Sequence, residues 1–130
     1  MKITQLDHLV LTVRDIQVSC DFYTRILGMQ LVEFAGGRKA LRFGSQKINL
    51  HQHHKEFEPK AALPTPGSAD LCFLTDVPLN EVAADLKQNQ VEIIEGPVER
   101  TGADWPILSI YLRDPDGNLL EIANRNDTAA

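Results

Sequence analysis

Cysteine is scarce in this sequence, which has only Cys20 and Cys72 and no Cys-x-x-Cys motif. A redox pair is therefore not favoured, and we predict two buried, reduced thiols.

Basic charge and long apolar runs are also lacking. Lys and Arg total 13 against 18 Asp and Glu, a formal net charge of −5. Nucleic acids and anionic membrane surfaces attract basic patches, so we expect neither as a partner. No run of 18 apolar residues occurs, and the start MKITQLDHLVL lacks the pattern of a secretory signal. We therefore expect a cytoplasmic protein.

The length and the composition fit one ordinary domain. The chain has 130 residues, of which 43% are hydrophobic and 24% are charged. This is enough apolar material for one core and enough charge for a solvated surface. We therefore expect a single domain over residues 1–130.

Hydrophobic patterning predicts two copies of a βαβββ unit. The first has a helix between an Asp15 N-cap and a terminating Gly28, and four strands, at residues 7–13, 29–34, 39–43 and 47–52. Residues 53–68 form a connecting loop. The second has a helix at 79–87, a hairpin turn at 114–117, and strands at 70–75, 91–94, 108–113 and 118–123.

A fixed offset relates the two units. Adding 62 to His8 gives Asp70, and adding it to Met29 gives Val91. Such a shared register is not expected from composition alone, so the chain is predicted to be an internal repeat, with modules at about 4–54 and 69–126.

Strand alternation predicts one face that carries polar ligands. Its candidates are His8, Asp70, Glu121, and either Asn49 or His51. Imidazole and carboxylate donors suit a divalent ion such as zinc, nickel, manganese or iron(II).

Each candidate also has a structural interpretation. A histidine on an apolar strand, such as His8, is more often a hydrogen-bonded core residue, and Asp70 could simply face solvent. Glu121 is harder to explain in this way, because it lies between apolar pairs where an unpaired carboxylate is costly to bury. His53 and His54 are interpreted as ordinary polar loop residues.

Three segments, DHLVLTVRD, FYTRILGM and LRDPDGNLLEI, together make the sequence resemble the vicinal oxygen chelate superfamily. That superfamily includes glyoxalase I, extradiol dioxygenases and bleomycin-binding proteins. The resemblance spans Leu6 to Asn126 and is strongest to glyoxalase-domain proteins of unassigned substrate. It implies an α+β fold in which two βαβββ modules form a cup-shaped, eight-stranded mixed sheet, generally completed by homodimerisation.

The resemblance also implies roles for individual residues. His8 and Glu121 match the first and last metal-ligand positions, while Asp70 stands where many members have histidine. The fourth position falls at Asn49 if it lies 72 residues before Glu121, and at His51 if it lies 70 before. Ser109, Tyr111 and Asn49 are the candidate substrate-binding residues.

The implied activity is that of a glyoxalase-type lyase or isomerase acting on a small oxygenated substrate through a metal-stabilised, enediolate-like intermediate. His8, Glu121 and Asp70 would bind the ion, and Asp70 or His51 would act as the catalytic base. An extradiol-type dioxygenase is one alternative, which the carboxylate at position 70 makes less favoured. A metal-free binding module is another, which the 6% aromatic content and the single Trp105 make less favoured.

Overall fold

The structure is a computed structural model that describes residues 1–126. Its elements follow the predicted order twice. The first module comprises β1 (His8–Val13), α1 (Ile16–Arg25), β2 (Gln30–Phe34), β3 (Arg38–Phe43) and β4 (Gln46–Gln52). The second comprises β5 (Asp70–Leu74), α2 (Leu79–Gln88), β6 (Glu95–Thr101), β7 (Pro106–Arg113) and β8 (Leu119–Arg125). Contacts divide the chain into two compact units, one over Met1–Ser68 and the other from Ala69 onward.

The first module forms a four-stranded mixed sheet in the order β1-β4-β3-β2. β1 runs parallel to β4, and the other neighbours are antiparallel. Alternation along the strands buries one face, which packs beneath α1 and contains Leu11, Val13, Leu41, Ile48 and Leu50. The other face has no helix of its module over it, and we call it the helix-free face of the first sheet.

The second module repeats this topology, in the order β5-β8-β7-β6. β5 runs parallel to β8, and the remaining pairs are antiparallel. Its apolar face contains Ile110, Leu112, Leu120 and Ile122, all buried, with α2 packed on β7. The opposite face is the helix-free face of the second sheet.

Local signals placed both ends of α1 correctly. The Asp15 side chain accepts hydrogen bonds from the backbone N–H groups of Gln17 and Val18, as an N-cap should. Gly28 has a φ of 69°, the left-handed conformation that a residue just beyond a helix commonly adopts.

The turn at residues 114–117 is also confirmed. Gly117 N–H donates to the Asp114 carbonyl, and Asp114 Oδ1 accepts from the backbone N–H groups of Asp116 and Asn118. The Asn118 amide oxygen accepts from the Ala69 N–H at 2.8 Å, and Leu119 N–H donates to the Ala69 carbonyl at 3.1 Å. The turn therefore fixes the backbone immediately before Asp70.

The strand predicted at residues 91–94 is wrong. Those residues are irregular, and the strand lies at Glu95–Thr101, across the Gly96-Pro97 segment between the predicted strands. β6 is an edge strand whose register shifts between Glu95 and Val98, and edge strands with bulges tolerate glycine and proline. Pairing with β7 thus outweighs the weak local propensity of this segment.

The two cysteines differ from each other. Cys20 is buried, as predicted, but Cys72 is exposed, so the prediction of two buried thiols is wrong for Cys72. The reason is strand parity, which places Cys72 on the helix-free face between Asp70 and Leu74. No helix within residues 1–126 is long and apolar enough to cross a membrane.

Candidate functional site

The helix-free face of the first sheet carries three of the predicted residues. Cα pairing sets His8 opposite Lys47, Val10 opposite Asn49, and Thr12 opposite His51. Partners in a ladder project to the same side, so His8, Asn49 and His51 share this face.

The second sheet repeats the same two positions. Asp70 pairs with Leu119, and Cys72 pairs with Glu121. Since Asp70 corresponds to His8 and Cys72 to Val10, the position equivalent to Glu121 in the first sheet is Asn49. His51 lies one pair further along β4. Each module therefore presents a matched donor pair, His8 with Asn49 in the first sheet and Asp70 with Glu121 in the second.

In the first donor pair, both members have an atom available for a ligand. The Asp7 carboxylate lies 2.8 Å from Nδ1 of His8, so Nδ1–H can donate to it and Nε2 does not take part in this contact. Asn49 Oδ1 is buried and has no hydrogen-bond partner among residues 1–126. A buried acceptor without a partner is costly, and a bound cation would satisfy it.

Glu121 in the second pair is held by a neighbour. Ser109 is fully buried, and its hydroxyl donates to Glu121 Oε2 at 2.5 Å, which leaves Oε1 free of this contact. Tyr111 pairs directly with Glu121 across the ladder, and its hydroxyl accepts from Arg100 Nε at 3.0 Å. The hydrogen bond from Ser109 is charge-assisted, and such a bond fixes the orientation of the Glu121 carboxylate.

Asp70 has a more open setting than Glu121, because it is exposed at the first residue of β5. The thiol of Cys72 lies between the two carboxylates. Its pKa is raised to about 11, first by partial desolvation and then by Glu121, with Asp70 contributing. Cys72 is therefore a protonated thiol at neutral pH and not a thiolate nucleophile.

His51 is almost completely buried, with 9% of its surface exposed. Its ring makes an edge contact with Phe57, at a centroid distance of 5.7 Å. Burial lowers the pKa of His51 below its usual value of 6.5, and the positive charge of Arg38 lowers it further. The imidazole is therefore neutral at pH 7 and can accept a proton or donate a lone pair to a metal. His53 and His54 stack on each other in the loop after β4, with centroids 3.7 Å apart.

A cavity of about 390 Å³ opens on the helix-free face of the second sheet. Glu121 and Cys72 line one part of it, and the loop after β6, including Trp105, lines another. The Arg125 guanidinium lies 5.6 Å from the Trp105 ring centroid. The cavity thus places an indole, a guanidinium and apolar side chains beside the proposed ligand Glu121, a lining typical of small-molecule sites.

The structure brings the predicted residues together within each module. Among residues 1–126, no three His, Cys, Asp or Glu side chains are grouped so as to hold a metal ion. The donor types still fit a borderline divalent ion, because they comprise an imidazole nitrogen, an unsatisfied amide oxygen and carboxylates. The assignment of His8, Asp70 and Glu121 as ligands remains a prediction.

Sequence reasoning missed two kinds of residue. It assigned Ser109 to the substrate and overlooked its bond to Glu121, although both residues lie on the same face. It also overlooked Arg38 and Lys47, which share the helix-free face with Asn49 and His51. Strand parity applied to β3 would have found Arg38.

Comparisons with known sequences agree with this architecture. Residues 5–122 match the family model described as "Glyoxalase/Bleomycin resistance protein/Dioxygenase superfamily". The chain is 60% identical over 123 residues to virulence protein STM3117 of Salmonella typhimurium, covering 95% of this chain and 85% of that protein. It is 55% identical over 127 residues to glyoxalase domain-containing protein RDO1 of Mycosarcoma maydis, covering 98% of this chain and 72% of that protein.

Solved structures extend the comparison. The crystal structure of the Salmonella protein superposes with a TM-score of 0.95 at 59% identity, over 97% of this chain and 100% of that one. Lactoylglutathione lyase from Agrobacterium tumefaciens superposes with a TM-score of 0.73 at 18% identity, over 95% of each chain. The second likeness shows the fold alone, and together the two confirm the predicted fold class.

Proposed function

The chain belongs to the glyoxalase/bleomycin resistance protein/dioxygenase superfamily, and from that premise we propose a metal-dependent lyase or isomerase of glyoxalase type. Its substrate would be a small oxygenated molecule. A divalent zinc, nickel, manganese or iron(II) ion, when bound, would stabilise negative charge that develops on the substrate oxygens.

The repeated donor pair is the observation that carries this proposal. His8 and Asn49 occupy the same two ladder positions in the first sheet as Asp70 and Glu121 do in the second. The Asp7 carboxylate orients His8 and the Ser109 hydroxyl orients Glu121, as outer groups do for metal ligands. We therefore propose His8, Glu121 and Asp70 as the ligands of the ion.

The proton-transfer step is assigned to Asp70. Its side chain is exposed at the edge of the second sheet, so it can rotate toward a substrate hydrogen in a way that the hydrogen-bonded Glu121 cannot. His51 is the second candidate base, because its burial keeps the imidazole neutral and able to accept a proton. Tyr111 and Asn49 would contact the substrate, and the buried Ser109 would act through its hydrogen bond to Glu121.

A cytoplasmic homodimer forms part of the proposal. Each four-stranded sheet has two edge strands, and edge strands in natural proteins are usually covered. A second copy of the chain is the covering partner that symmetry makes most accessible.

Metal analysis tests the proposal directly. Untagged protein should contain at most one divalent ion per chain, and His8→Ala and Glu121→Ala should each lose it. Matched controls are His54→Ala in the loop after β4 and Glu99→Ala on β6, whose Cα partner Leu108 lies outside the donor face. Both controls should keep the ion. Light scattering on the same samples should give the mass of a dimer.

Two results of the metal analysis would contradict the proposal. Full occupancy in His8→Ala or Glu121→Ala would remove that residue from the site. Wild-type protein that takes up no ion from a saturating solution would overturn metal dependence. In that case the cavity beside Trp105 and Arg125 would favour a metal-free binding module.

A further inference from the structure

Positive charge is concentrated on the helix-free face of the first sheet, although the whole chain carries a formal charge of −5. The Cα ladder sets Phe34 opposite Arg38, Arg42 opposite Lys47, and Ala40 opposite Asn49. These side chains share the face with His8 and His51. The strands contribute cations to this face and no carboxylate.

Two cations of this face, Arg38 and Lys47, have no carboxylate partner within residues 1–126. Arg38 and Lys47 are half-buried, and neither takes part in an ion pair there. Lys39, the next residue along β3, points to the opposite face and forms an ion pair with Glu33. Arg25 on α1 likewise pairs with Asp21. Cations on other surfaces of this module therefore do form ion pairs, and Arg38 and Lys47 do not.

Each of the two cations makes a cation–π contact with an aromatic ring. The Arg38 guanidinium carbon lies 3.9 Å from the centroid of the Phe57 ring, and Lys47 Nζ lies 4.1 Å from that of Phe34. Such contacts hold a cation in place without neutralising its charge. Ala40, which lies between these contacts in the register, is fully buried. The cations are thus positioned on a compact surface.

The electrostatic surroundings of His51 include the same guanidinium. Burial lowers the pKa of His51 and Arg38 lowers it further, while Glu56 acts in the opposite direction. His51 and Lys60 also line a cavity of about 220 Å³ with Val10, Thr12 and Pro59. Lys60 is itself paired with Glu58, so the unpaired cation acting on His51 is Arg38, and an unpaired cation near a concave site favours an anion.

We propose that the helix-free face of the first sheet binds the anionic group of the substrate, a carboxylate or a phosphate, through Arg38 and Lys47. The guanidinium suits bidentate contact with an oxyanion, and the ammonium adds a point charge. This inference deepens the proposed function, on which its catalytic meaning rests. It narrows the substrate to small oxygenated molecules that carry an oxyanion.

Anion binding can be measured without metal or turnover. Metal-free full-length protein is titrated with sodium phosphate and, separately, with sodium acetate, at constant ionic strength set with sodium chloride. Amide chemical shifts should change saturably around Arg38 and Lys47. Arg38→Gln and Lys47→Gln should each weaken binding about tenfold, the scale of one charge-assisted hydrogen bond. Lys39→Gln, which removes the same charge on the opposite face, should bind like wild type.

The two ligands distinguish the source of the oxyanion. Saturation by phosphate alone identifies a phosphate ester, by acetate alone a carboxylate, and by both a shared oxyanion site. Saturation by neither overturns the inference, as does equal weakening in Lys39→Gln. A dimer that dissociates in Arg38→Gln and Lys47→Gln, with no saturable anion binding, would instead make this face a contact with a second copy. Circular dichroism checks that each variant is folded.

The anion-binding inference and the proposed metal-dependent function can be contradicted independently of each other. His8→Ala should keep anion binding in the metal-free protein, because its imidazole is not one of the proposed cations. Metal binding without anion binding overturns only the substrate class. Anion binding without metal binding overturns only the metal-dependent activity.

Discussion

The two sheets share one topology and one pair of donor positions, yet their chemistry is opposite. In the first sheet, His8 and Asn49 lie among the unpaired cations Arg38 and Lys47. In the second, the equivalent positions are carboxylates, and Ser109 holds one of them. The repeat preserves backbone positions, while the side chains at those positions differ, with an imidazole and an amide in the first sheet and two carboxylates in the second.

The two candidate bases allow this difference to be tested, since Asp70 belongs to the second sheet and His51 to the first. Asp70→Asn keeps the shape and an oxygen but cannot take up the proton. Turnover of any substrate found should fall by about two orders of magnitude or more, the usual scale for a general base. Most of the metal should stay. His51→Gln should reduce turnover by less than Asp70→Asn does.

Two results would reverse that assignment. If Asp70→Asn loses metal as fully as Glu121→Ala, Asp70 is a plain ligand. If His51→Gln is then the more damaging change for turnover, the base lies in the first sheet, and the assignment of proton transfer to the second sheet is wrong.

The outer hairpins of the two modules offer a comparison of stability. A Cβ at Gly96 would lie 2.4 Å from the Ser109 carbonyl oxygen, and the residue has a φ of 108°. Gly36, in the turn between β2 and β3, has a φ of 78° but nothing within 4 Å. Gly96→Ala should lower the free energy of unfolding by about 2–3 kcal/mol, through both strain and displacement of β7. Gly36→Ala should cost only about 1 kcal/mol.

Urea denaturation of both variants checks this difference. Equal costs would mean that the backbone at Gly96 moves away from Ser109 without loss. In that case the Ser109–Glu121 hydrogen bond would not depend on the close approach of β6.

The smallest effect concerns the response of the first sheet to pH. Because the pKa of His51 is lower in the folded protein than in the unfolded chain, the unfolded state takes up its proton first as the pH falls. The stability contributed by neutral His51 is present above pH 6.5 and is lost below it. Unfolding free energies at pH 7.5 and 5.5 should differ more in wild type than in His51→Gln. An identical difference would mean that other groups cause the acid sensitivity.

Local chemistry made much of the fold predictable. Asp15 and Gly28 act through their own backbone neighbours, and the turn at 114–117 does the same, so each could be inferred from a few residues. β6 could not be inferred in this way, because a polar segment with Gly96 and Pro97 becomes a strand only by pairing with β7. The fixed offset of 62 therefore relates β1 to β5 but does not relate the strands that follow the helix of each module.

The candidate site could likewise be predicted only where it depends on local properties of the chain. Parity placed His8, Asn49 and Glu121 on the correct faces, because alternation is a local property. The choice between Asn49 and His51 as the equivalent of Glu121 needed the pairing of β1 with β4. The Ser109–Glu121 bond needed the pairing of β7 with β8. Contacts between neighbouring strands depend on the register of their pairing, which the patterns within single strands do not determine.

The hydrogen bonds around Ala69 bear on the kinetics of the proposed reaction. Asn118 and Leu119 hold the backbone on one side of Asp70, and the β5–β8 ladder holds the other. Asp70 can therefore reorient only by rotating its side chain, and exposed side chains change rotamer in about picoseconds to nanoseconds. Loop and lid motions, by contrast, take about microseconds to milliseconds. Once its carboxylate is free of the ion, rotation of the Asp70 side chain is thus too fast to limit turnover.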